Sequence, residues 1–281
     1  MGVIRSGMDV EKEKELIARQ FNRFADEYDR VAVVQQRMAH RILETLDEQG
    51  AEPQNILEIG CGTGYLTQLL GEKYPDAKFT IIDIAEKMME LTKRRANESL
   101  DVRFVVGDVE NESWEPESFD LIASNAMVHW LARPDSTLCQ LSSALKPGGG
   151  FVASTFGPDT LGELDQVYQN LGLNEEYSTQ RRYYFQPPEE WYRMMKMADL
   201  EGDYVVCWHR IHYPDSNSLM NAIQRMGADY IHPEEEQLYG QSQLVRAVIQ
   251  EQYNRIYRTR EGGVYATYQS VYAYGRKGLP T

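Results

Sequence analysis

Short apolar runs alternate with helically spaced stretches between residues 55 and 156, and this alternation organises the chain. The runs are NILEIG, KFTIIDI, VRFVVGD, FDLIASN and GGFVASTF. The stretches between them include GYLTQLLGEKYP, AEKMMELTKRRANE and STLCQLSSALKP. Strands joined by helical crossovers predict an α/β fold, with a parallel sheet and helices on both faces. Ligands of such sheets bind beyond the carboxyl ends of the strands.

The flanking regions predict more helices and two long strands. Helical spacing recurs in KELIARQFNRFADEYD and AHRILETLDE before the core, and in LGELDQVYQNL and PPEEWYRMMKMADL after it. DYVVCWHRIHYP and VYATYQSVYAYGRK predict strands that extend the sheet at one edge. We therefore expect one compact domain with three parts: an N-terminal helical lid over 1–50, a core over 51–157, and an inserted helical cap with the final sheet strands over 158–281.

Composition and charge narrow the possible partners. The chain has 281 residues, a hydrophobic content of 42% and a formal net charge of −14. The acidic balance counts against a nucleic-acid partner, and no stretch approaches the roughly 20 apolar residues of a membrane span. Cys61, Cys139 and Cys207 form no CxxC pair, which argues against a disulfide frame or a metal site. With a charged, helically spaced N-terminus, these features predict a cytoplasmic protein.

Three glycines follow the first predicted strand within five residues, in the stretch EIGCGTG. Their spacing is G-x-G-x-G, whereas a dinucleotide site has G-x-G-x-x-G. Glycine tolerates positive φ and lets a ligand approach the backbone where a Cβ would clash. A tight turn alone would also explain them, so the residues that follow decide the interpretation.

Carboxylates end the next two predicted strands. Asp83 lies about twenty residues beyond the glycines, where a carboxylate can accept hydrogen bonds from both ribose hydroxyls of an adenosine ligand. Asp108 ends the third strand and could reach the adenine amino group. The chain has no P-loop lysine, and Glu58 adds negative charge to the turn. An acidic site disfavours a pyrophosphate and favours a cationic ligand.

The order and spacing of these motifs resemble those of the class I S-adenosylmethionine-dependent methyltransferases over residues 55–156. This resemblance implies a Rossmann-like fold with a mostly parallel seven-stranded sheet. The resemblance implies that Glu58, Gly60, Cys61 and Gly62 line the methionine and ribose region. It places Asp83 on the ribose, Ile84 and Met88 beside the adenine, Asp108 and Val109 at the adenine edge, and Asn125 beside the sulfonium.

The flanks resemble a narrower family, the malonyl-acyl-carrier-protein O-methyltransferases of biotin biosynthesis. The matching stretches are FNRFADEYDRVAVVQ, SNAMVHW, STFGPDTLGEL, FQPPEEW, MNAIQRMGADYIH and TYQSVYAYGRK. The first carries the lid pattern Phe21, Arg23, Ala25, Tyr28 and Gln35, and Arg23, Tyr28 and Gln35 are expected to contact the cofactor. The resemblance implies methylation of the free carboxylate of malonyl-acyl carrier protein, which gives S-adenosylhomocysteine and a malonyl methyl ester that primes pimeloyl synthesis.

This chemistry needs no general base, since a carboxylate is already ionised at neutral pH. We expect orientation and exclusion of water to carry catalysis. Arg181 or Arg182 could grip the acceptor carboxylate, and Tyr28 could close over the methionine moiety. His129 and Trp130 stand just past the fourth strand at the mouth of the site. The family often has Gln at the position of His129, which argues against a base there.

An acidic carrier protein would require a basic surface on this acidic chain. The stretches RRYYF, WYRMMK and NRIYRTR offer one on the cap, through Arg181, Arg182, Arg193, Lys196, Arg255, Arg258 and Arg260. Two alternatives stay open: methylation of a small free carboxylic acid, and a methyltransferase-like assembly factor or hydroxylase built on the same fold.

Overall fold

A seven-stranded sheet forms the centre of the protein in the computed structural model, which describes residues 10–173, 185–228 and 243–279. The strands are β1 (Asn55–Ile59), β2 (Lys78–Asp83), β3 (Asp101–Val106), β4 (Phe119–Asn125), β5 (Leu145–Phe156), β6 (Leu200–Tyr213) and β7 (Val264–Lys277). The helices are α1 (Val10–Val31), α2 (Val33–Glu48), α3 (Tyr65–Lys73), α4 (Glu86–Arg95), α5 (Pro134–Ala144), α6 (Gly162–Asn170), α7 (Pro188–Met197), α8 (Ser216–Ile223) and α9 (Gln243–Ile256). A 3-10 turn covers Val128–Trp130, and a π turn covers Gln224–Ala228.

The strand order is β3-β2-β1-β4-β5-β7-β6, and the first five strands in the chain run parallel. β7 enters antiparallel between β5 and β6. The predicted fold class and the placement of the two long strands at one edge are therefore confirmed. The chain builds outward from β1 to β3 and then returns to add β4 on the other side of β1. This reversal leaves a crevice beyond the ends of β1 and β4.

Side-chain alternation along the strands divides the core into two apolar clusters, one on each face of the sheet. Ile56 and Ile81 face α2 and α3, whereas Leu57 and Ile82 face α5 and α7. All four are fully buried. Burial of such side chains stabilises the fold by about 1.5–3 kcal/mol each. Two packed faces hold the strand ends rigidly, so the crevice has a fixed floor.

The two N-terminal helices have different roles. Met38 and Ile42 of α2 are completely buried in the cluster on one face, so most of α2 belongs to the core. α1 instead packs across α4 and the π turn, over the carboxyl ends of the strands. In the described part of the chain, none of the helices combines the length and apolarity that crossing a bilayer requires.

Candidate active site

A cavity of about 1030 Å³, including its open mouth, lies beyond the carboxyl ends of β1, β2 and β3. The cavity is concave and lies where α/β sheets bind their ligands, beyond the ends of the strands. Its floor is the glycine turn after β1, and its roof is α1, which contributes Ile17, Phe21 and Tyr28. We call it the first cavity.

The three glycines of the turn serve three different purposes. All have positive φ, between 55° and 82°. A Cβ on Gly60 would lie 2.2 Å from Cγ of Met127, and one on Gly64 would lie 2.9 Å from Cα of Thr92. A Cβ on Gly62 would meet nothing within 4 Å. Gly60 and Gly64 therefore let the protein pack on itself, whereas Gly62 keeps backbone open to a ligand.

Asp83 is a buried carboxylate of the first cavity, with 8% of its surface exposed. It accepts hydrogen bonds from the backbone N–H groups of Gly62 and Ala85, both at 2.8 Å. Burial raises the pKa of Asp83 to about 6, although these two hydrogen bonds favour the ionised form. At neutral pH it is thus an ionised, pre-oriented acceptor beside Gly62, as a ribose partner must be.

The charges around the first cavity fit a cationic ligand. The described lining residues include one ammonium group, from Lys14, and four carboxylates, from Asp29, Asp83, Asp108 and Glu110. A pyrophosphate would be repelled here, whereas a sulfonium would be attracted. The residues present therefore fit the expected cofactor.

Most of the cofactor residues expected from the sequence meet around the first cavity. Those that line it are Tyr28, Gln35, Gly60, Cys61, Gly62, Asp83, Ile84, Met88, Asp108, Val109 and Asn125. They come from five separated segments of the chain, and the reversal of strand order at β1 and β4 brings them together. Burial raises the pKa of the Cys61 thiol, which also receives a hydrogen bond from Thr92 at 3.3 Å, so we assign it no nucleophilic role.

Two expected residues lie outside the first cavity. Glu58 is buried on the α3 side of the sheet, where it accepts a 2.7 Å hydrogen bond from Thr67. Alternation along β1 directs its side chain to the face of the sheet that α3 covers. Arg23 is exposed and stacks on Phe24, with its guanidinium 5.1 Å from the ring centre. Two residues along a helix are a rotation of about 200°, so Arg23 cannot share the cavity face with Phe21.

A second cavity of about 490 Å³ adjoins the first and is more apolar. Its described lining is Phe21, Tyr28, Gln35, Ala126, His129, Trp130, Phe156, Thr160, Leu161, Phe185, Ile223, Met226 and Tyr268. None of these described residues is Asp, Glu, Lys or Arg. Phe21, Tyr28, Gln35, Ala126 and Trp130 line both cavities, so the two spaces meet at these side chains.

Gln35 lies at the junction of the two cavities, and one of its side-chain polar atoms makes no hydrogen bond within the described residues. Its backbone carbonyl accepts a 3.0 Å hydrogen bond from Asn125, and its Nε2 donates to the sulfur of Met226 at 3.3 Å. The residue is 7% exposed, and its Oε1 has no hydrogen-bond partner among the described residues. Ala126, beside it, has φ of 53°, a strained conformation for alanine. Buried unpaired atoms and strained backbone are concentrated at functional sites.

The expected catalytic residues are distributed unevenly. Burial raises the pKa of the Tyr28 hydroxyl well above its usual range, and the nearby carboxylates of Asp29 and Asp83 raise it further. The hydroxyl therefore stays neutral. His129 is a wall of the second cavity, with Nδ1 3.2 Å from the Thr155 hydroxyl and its ring edge-on to Phe156. Trp130 stands edge-on to Phe21 at 5.7 Å. Arg181 and Arg182 lie outside the described residues.

Sequence reasoning missed Lys14, Asp29 and most walls of the second cavity. For Lys14 a signal was present. Lys14, Ile17 and Phe21 are spaced by three and four residues, so the lysine lies in the apolar stripe of α1. A charged residue in such a stripe indicates a buried partner. The walls of the second cavity come from distant segments and gave no comparable signal.

Comparisons with known proteins agree with this geometry. A family profile described as "Methyltransferase domain" matches residues 56–149. A malonyl-acyl-carrier-protein O-methyltransferase of Halalkalibacterium halodurans is 32% identical over 278 residues, which cover 92% of this chain and 97% of that protein. The protein of the same name from Bacillus cereus is 33% identical over 273 residues, covering 92% and 96% of the two chains.

Solved structures share the fold at lower identity. The YcgJ protein of Bacillus subtilis aligns with a TM-score of 0.58 and 17% identity, over 86% of this chain and all of that one. Phosphoethanolamine N-methyltransferase 2 of Haemonchus contortus, solved with S-adenosylmethionine, aligns with a TM-score of 0.52 and 20% identity over 85% and 53% of the two chains.

Proposed function

The chain belongs to the malonyl-acyl-carrier-protein O-methyltransferase family, and on this basis we propose that it methylates the free carboxylate of malonyl-acyl carrier protein. The product is the malonyl methyl ester that primes pimeloyl synthesis for biotin. The observation that carries the proposal is the pair of joined cavities, one acidic and one neutral. A cationic methyl donor suits the first, and an anionic acceptor suits a space whose described walls carry no carboxylate.

S-adenosylmethionine is the cofactor, and when bound it would supply a sulfonium methyl group: an acceptor oxygen would bond to the methyl carbon as the carbon–sulfur bond breaks, and S-adenosylhomocysteine would leave. Asp83 would accept the ribose hydroxyls, and Gly62 would leave room for the methionine part. The side chain of Asn125, at the end of β4, donates a hydrogen bond to the backbone carbonyl of Gln35 in α2 and accepts one of 2.7 Å from Ser154 in β5. These hydrogen bonds fix the junction where the methyl has to cross.

The acceptor needs orientation at this junction more than it needs a base. Gln35 and Tyr28 are the polar side chains among the five that line both cavities. Half a turn of the Gln35 amide would present its NH₂ to an acceptor oxygen, and the neutral Tyr28 hydroxyl can also donate. The aromatic walls exclude water, which would otherwise solvate the carboxylate and weaken its attack.

His129 acts in this scheme as a wall of the second cavity. No proton has to leave a malonyl carboxylate, and the ring nitrogen Nδ1 is already directed at Thr155. Arg181 and Arg182 are proposed to grip the carboxylate in a bidentate pair. They precede Phe185, a wall of the second cavity, by four and three residues in the sequence.

The proposal is tested by single-turnover methyl transfer to malonyl and acetyl carrier proteins, with free malonate and aconitate in parallel. We expect transfer to the malonyl protein alone, because only that thioester offers a free carboxylate on a carrier. Equal transfer to the acetyl protein would overturn the carboxylate mechanism. Transfer to the free acids alone would establish the small-acid alternative, and cofactor binding without transfer would favour an assembly factor. His129→Gln should retain most of the activity.

The described residues of the predicted basic cap surface lie on two faces of the sheet, so we propose a narrower docking site. α7, with Arg193 and Lys196, packs into the cluster on one face of the sheet, whereas α9 packs into the cluster on the other. Arg193 is also engaged by Glu190 and Asp135. We propose docking at the end of α9, where Arg255, Arg258 and Arg260 are exposed beside the exposed Ile256.

The position of α9 supports this choice. α9 packs on α8, which supplies Ile223 to the second cavity, and Arg258 and Arg260 form no ion pair with any described residue. Arg255→Glu with Arg258→Glu should raise KM for the malonyl carrier protein roughly 5–30-fold, since exposed charges contribute up to about 1 kcal/mol each. This rise in KM should become larger as the salt concentration falls, because salt screens exposed charges. KM for malonyl-CoA should stay constant. A charge-matched double variant elsewhere, Lys196→Glu with Arg94→Glu, is the control, and an equal rise in its KM would contradict this docking site.

A further inference from the structure

Lys14 joins the roof of the first cavity to its floor. Its side chain extends from α1 and is 9% exposed, and its ammonium group bonds the carboxylates of both Asp108 and Glu110. These two residues follow β3, at the end of the cavity where the adenine is expected. A single buried cation thus holds two carboxylates that belong to the other side of the cavity.

Glu110 is a firm anchor for this contact. Its carboxylate is 1% exposed and accepts hydrogen bonds from the backbone N–H groups of Ala132, at 2.9 Å, and Arg133, at 2.6 Å. Burial by itself would raise the pKa of Glu110, but the hydrogen bonds from Lys14 and from the backbone keep it below the usual value. The anchor is therefore ionised at neutral pH, and it cannot follow α1 if that helix moves.

The other ion pairs between α1 and the body, among the described residues, are much more exposed. Asp26 and Lys87 are 64% and 42% exposed, and Glu27 and Arg225 are 44% and 47% exposed. Asp29 and Arg95, at 34% and 27%, are intermediate. Exposed pairs contribute little, whereas removing one partner of a buried pair leaves an uncompensated charge and is strongly destabilising. Closure of α1 therefore depends on Lys14 far more than on the surface pairs.

We propose that Lys14 is a latch: it is a positioning residue that holds α1 closed over the adenine end and sets the rate at which S-adenosylmethionine and S-adenosylhomocysteine leave. α1 roofs the first cavity with Ile17, Phe21 and Tyr28, so a bound nucleoside leaves only after this helix lifts. Lifting it breaks both Lys14 contacts together and leaves the buried Glu110 with only the exposed Arg133 guanidinium, 3.9 Å away, as a cationic partner. The latch acts on release and is separate from the methyl-transfer step.

The test compares Lys14→Met with Lys87→Met. The second variant removes the exposed ion pair that joins Asp26 of α1 to Lys87 of α4. Release of labelled S-adenosylhomocysteine, chased with excess unlabelled ligand, should be at least tenfold faster in Lys14→Met and within twofold of wild type in Lys87→Met. In the ligand-free proteins, amide hydrogen exchange in α1 should rise in Lys14→Met, with α3 unchanged. Lys14→Arg should restore slow release, because a guanidinium can bridge two carboxylates.

Release within twofold of wild type in folded Lys14→Met, or equally fast release in Lys87→Met, would overturn the proposal. If Lys14→Met does not fold, Glu110→Gln decides in its place, with release expected at least threefold faster and the same exchange signature in α1. These measurements use the cofactor product and the ligand-free chain only. They therefore stand whether or not malonyl carrier protein proves to be the acceptor.

Discussion

The two cavities of this protein share five side chains yet differ in almost every physical property. The first is acidic, is floored by backbone with positive φ, and is closed by a helix that ion pairs hold. The second has no charged side chain among its described lining residues and is walled by Phe156, Phe185, His129 and Tyr268. One space is organised by charge, and the other by aromatic surface.

The difference follows from what each space has to bind. A sulfonium is held by carboxylates, but a carboxylate in the second cavity would repel an anionic acceptor. The boundary is crossed by Gln35 and Tyr28, which are polar and uncharged and can face either ligand. Opposite charge requirements can therefore be met within one crevice, provided that the residues at the junction stay neutral.

Placing a charge at the junction should have the largest effect. Gln35→Glu should slow methyl transfer to the malonyl carrier protein about 100-fold at pH 8, because like charges brought together cost several kcal/mol. Affinity for S-adenosylmethionine should stay the same or improve, since its sulfonium is attracted. Calorimetry for the cofactor and single-turnover kinetics for transfer measure the two effects separately.

The matched control for that experiment is Gln166→Glu, which adds the same charge on the exposed surface of α6. It should leave both measurements unchanged. If Gln35→Glu weakened both ligands equally, the variant would have damaged the junction as a whole, and the electrostatic division between the cavities would be wrong.

A change confined to the first cavity should affect one ligand only. Asp83→Asn should weaken cofactor binding by about 1.5–3 kcal/mol, because hydrogen bonds to a charged acceptor are lost. Wild-type affinity should fall as pH drops through about 6, where Asp83 takes up a proton, and the variant should lack this pH dependence. Affinity measured between pH 5 and 8 is the check. A parallel change in KM for the acceptor would contradict the separation of the two sites.

Glu58 is acidic like the first cavity but lies outside it, so its effect should appear in folding stability. Burial raises its pKa from 4.5 to about 8, so its stabilising contribution is complete below about 4.5 and is lost as pH rises to about 8. As pH rises, the free energy of unfolding of Glu58→Gln should therefore increase relative to that of wild type, by on the order of 1 kcal/mol per pH unit. Chemical denaturation at pH 6 and 8.5 measures this difference. The exposed Glu98→Gln should behave as wild type, and parallel curves for Glu58→Gln would rule out the buried-acid interpretation.

The first cavity could be predicted because its parts are local in sequence. A turn that needs positive φ selects glycine, and a ribose partner is placed by the end of the next strand, so EIGCGTG and Asp83 appear at fixed spacing. Glu58 and Arg23 lie outside the lining of the first cavity because a motif gives position along the chain but not the phase of a strand or helix. Lys14 was visible as a charge in an apolar stripe, but its partners lie 94 residues and more away.

The second cavity could not be predicted in the same way. Phe21, Phe156 and Met226 belong to three elements that meet only after the sheet has formed and the cap has packed on it. Each looks like an ordinary core residue in its own segment, since aromatic and methionine side chains fill cores in any fold. Only the resemblance of the flanking segments to a known family indicated an acceptor.

The insertion of β7 between β5 and β6 has a consequence for synthesis on the ribosome. β6 emerges before β7, yet within the described sheet β7 is its only neighbour. At roughly 5–20 residues per second, a 14-residue strand waits for several seconds with both edges unpaired, a state prone to aggregation. The parallel strands and the glycine turn are complete by then, whereas Tyr268 arrives only with β7. The residues that line the first cavity are therefore all synthesised before the strand that completes the second cavity.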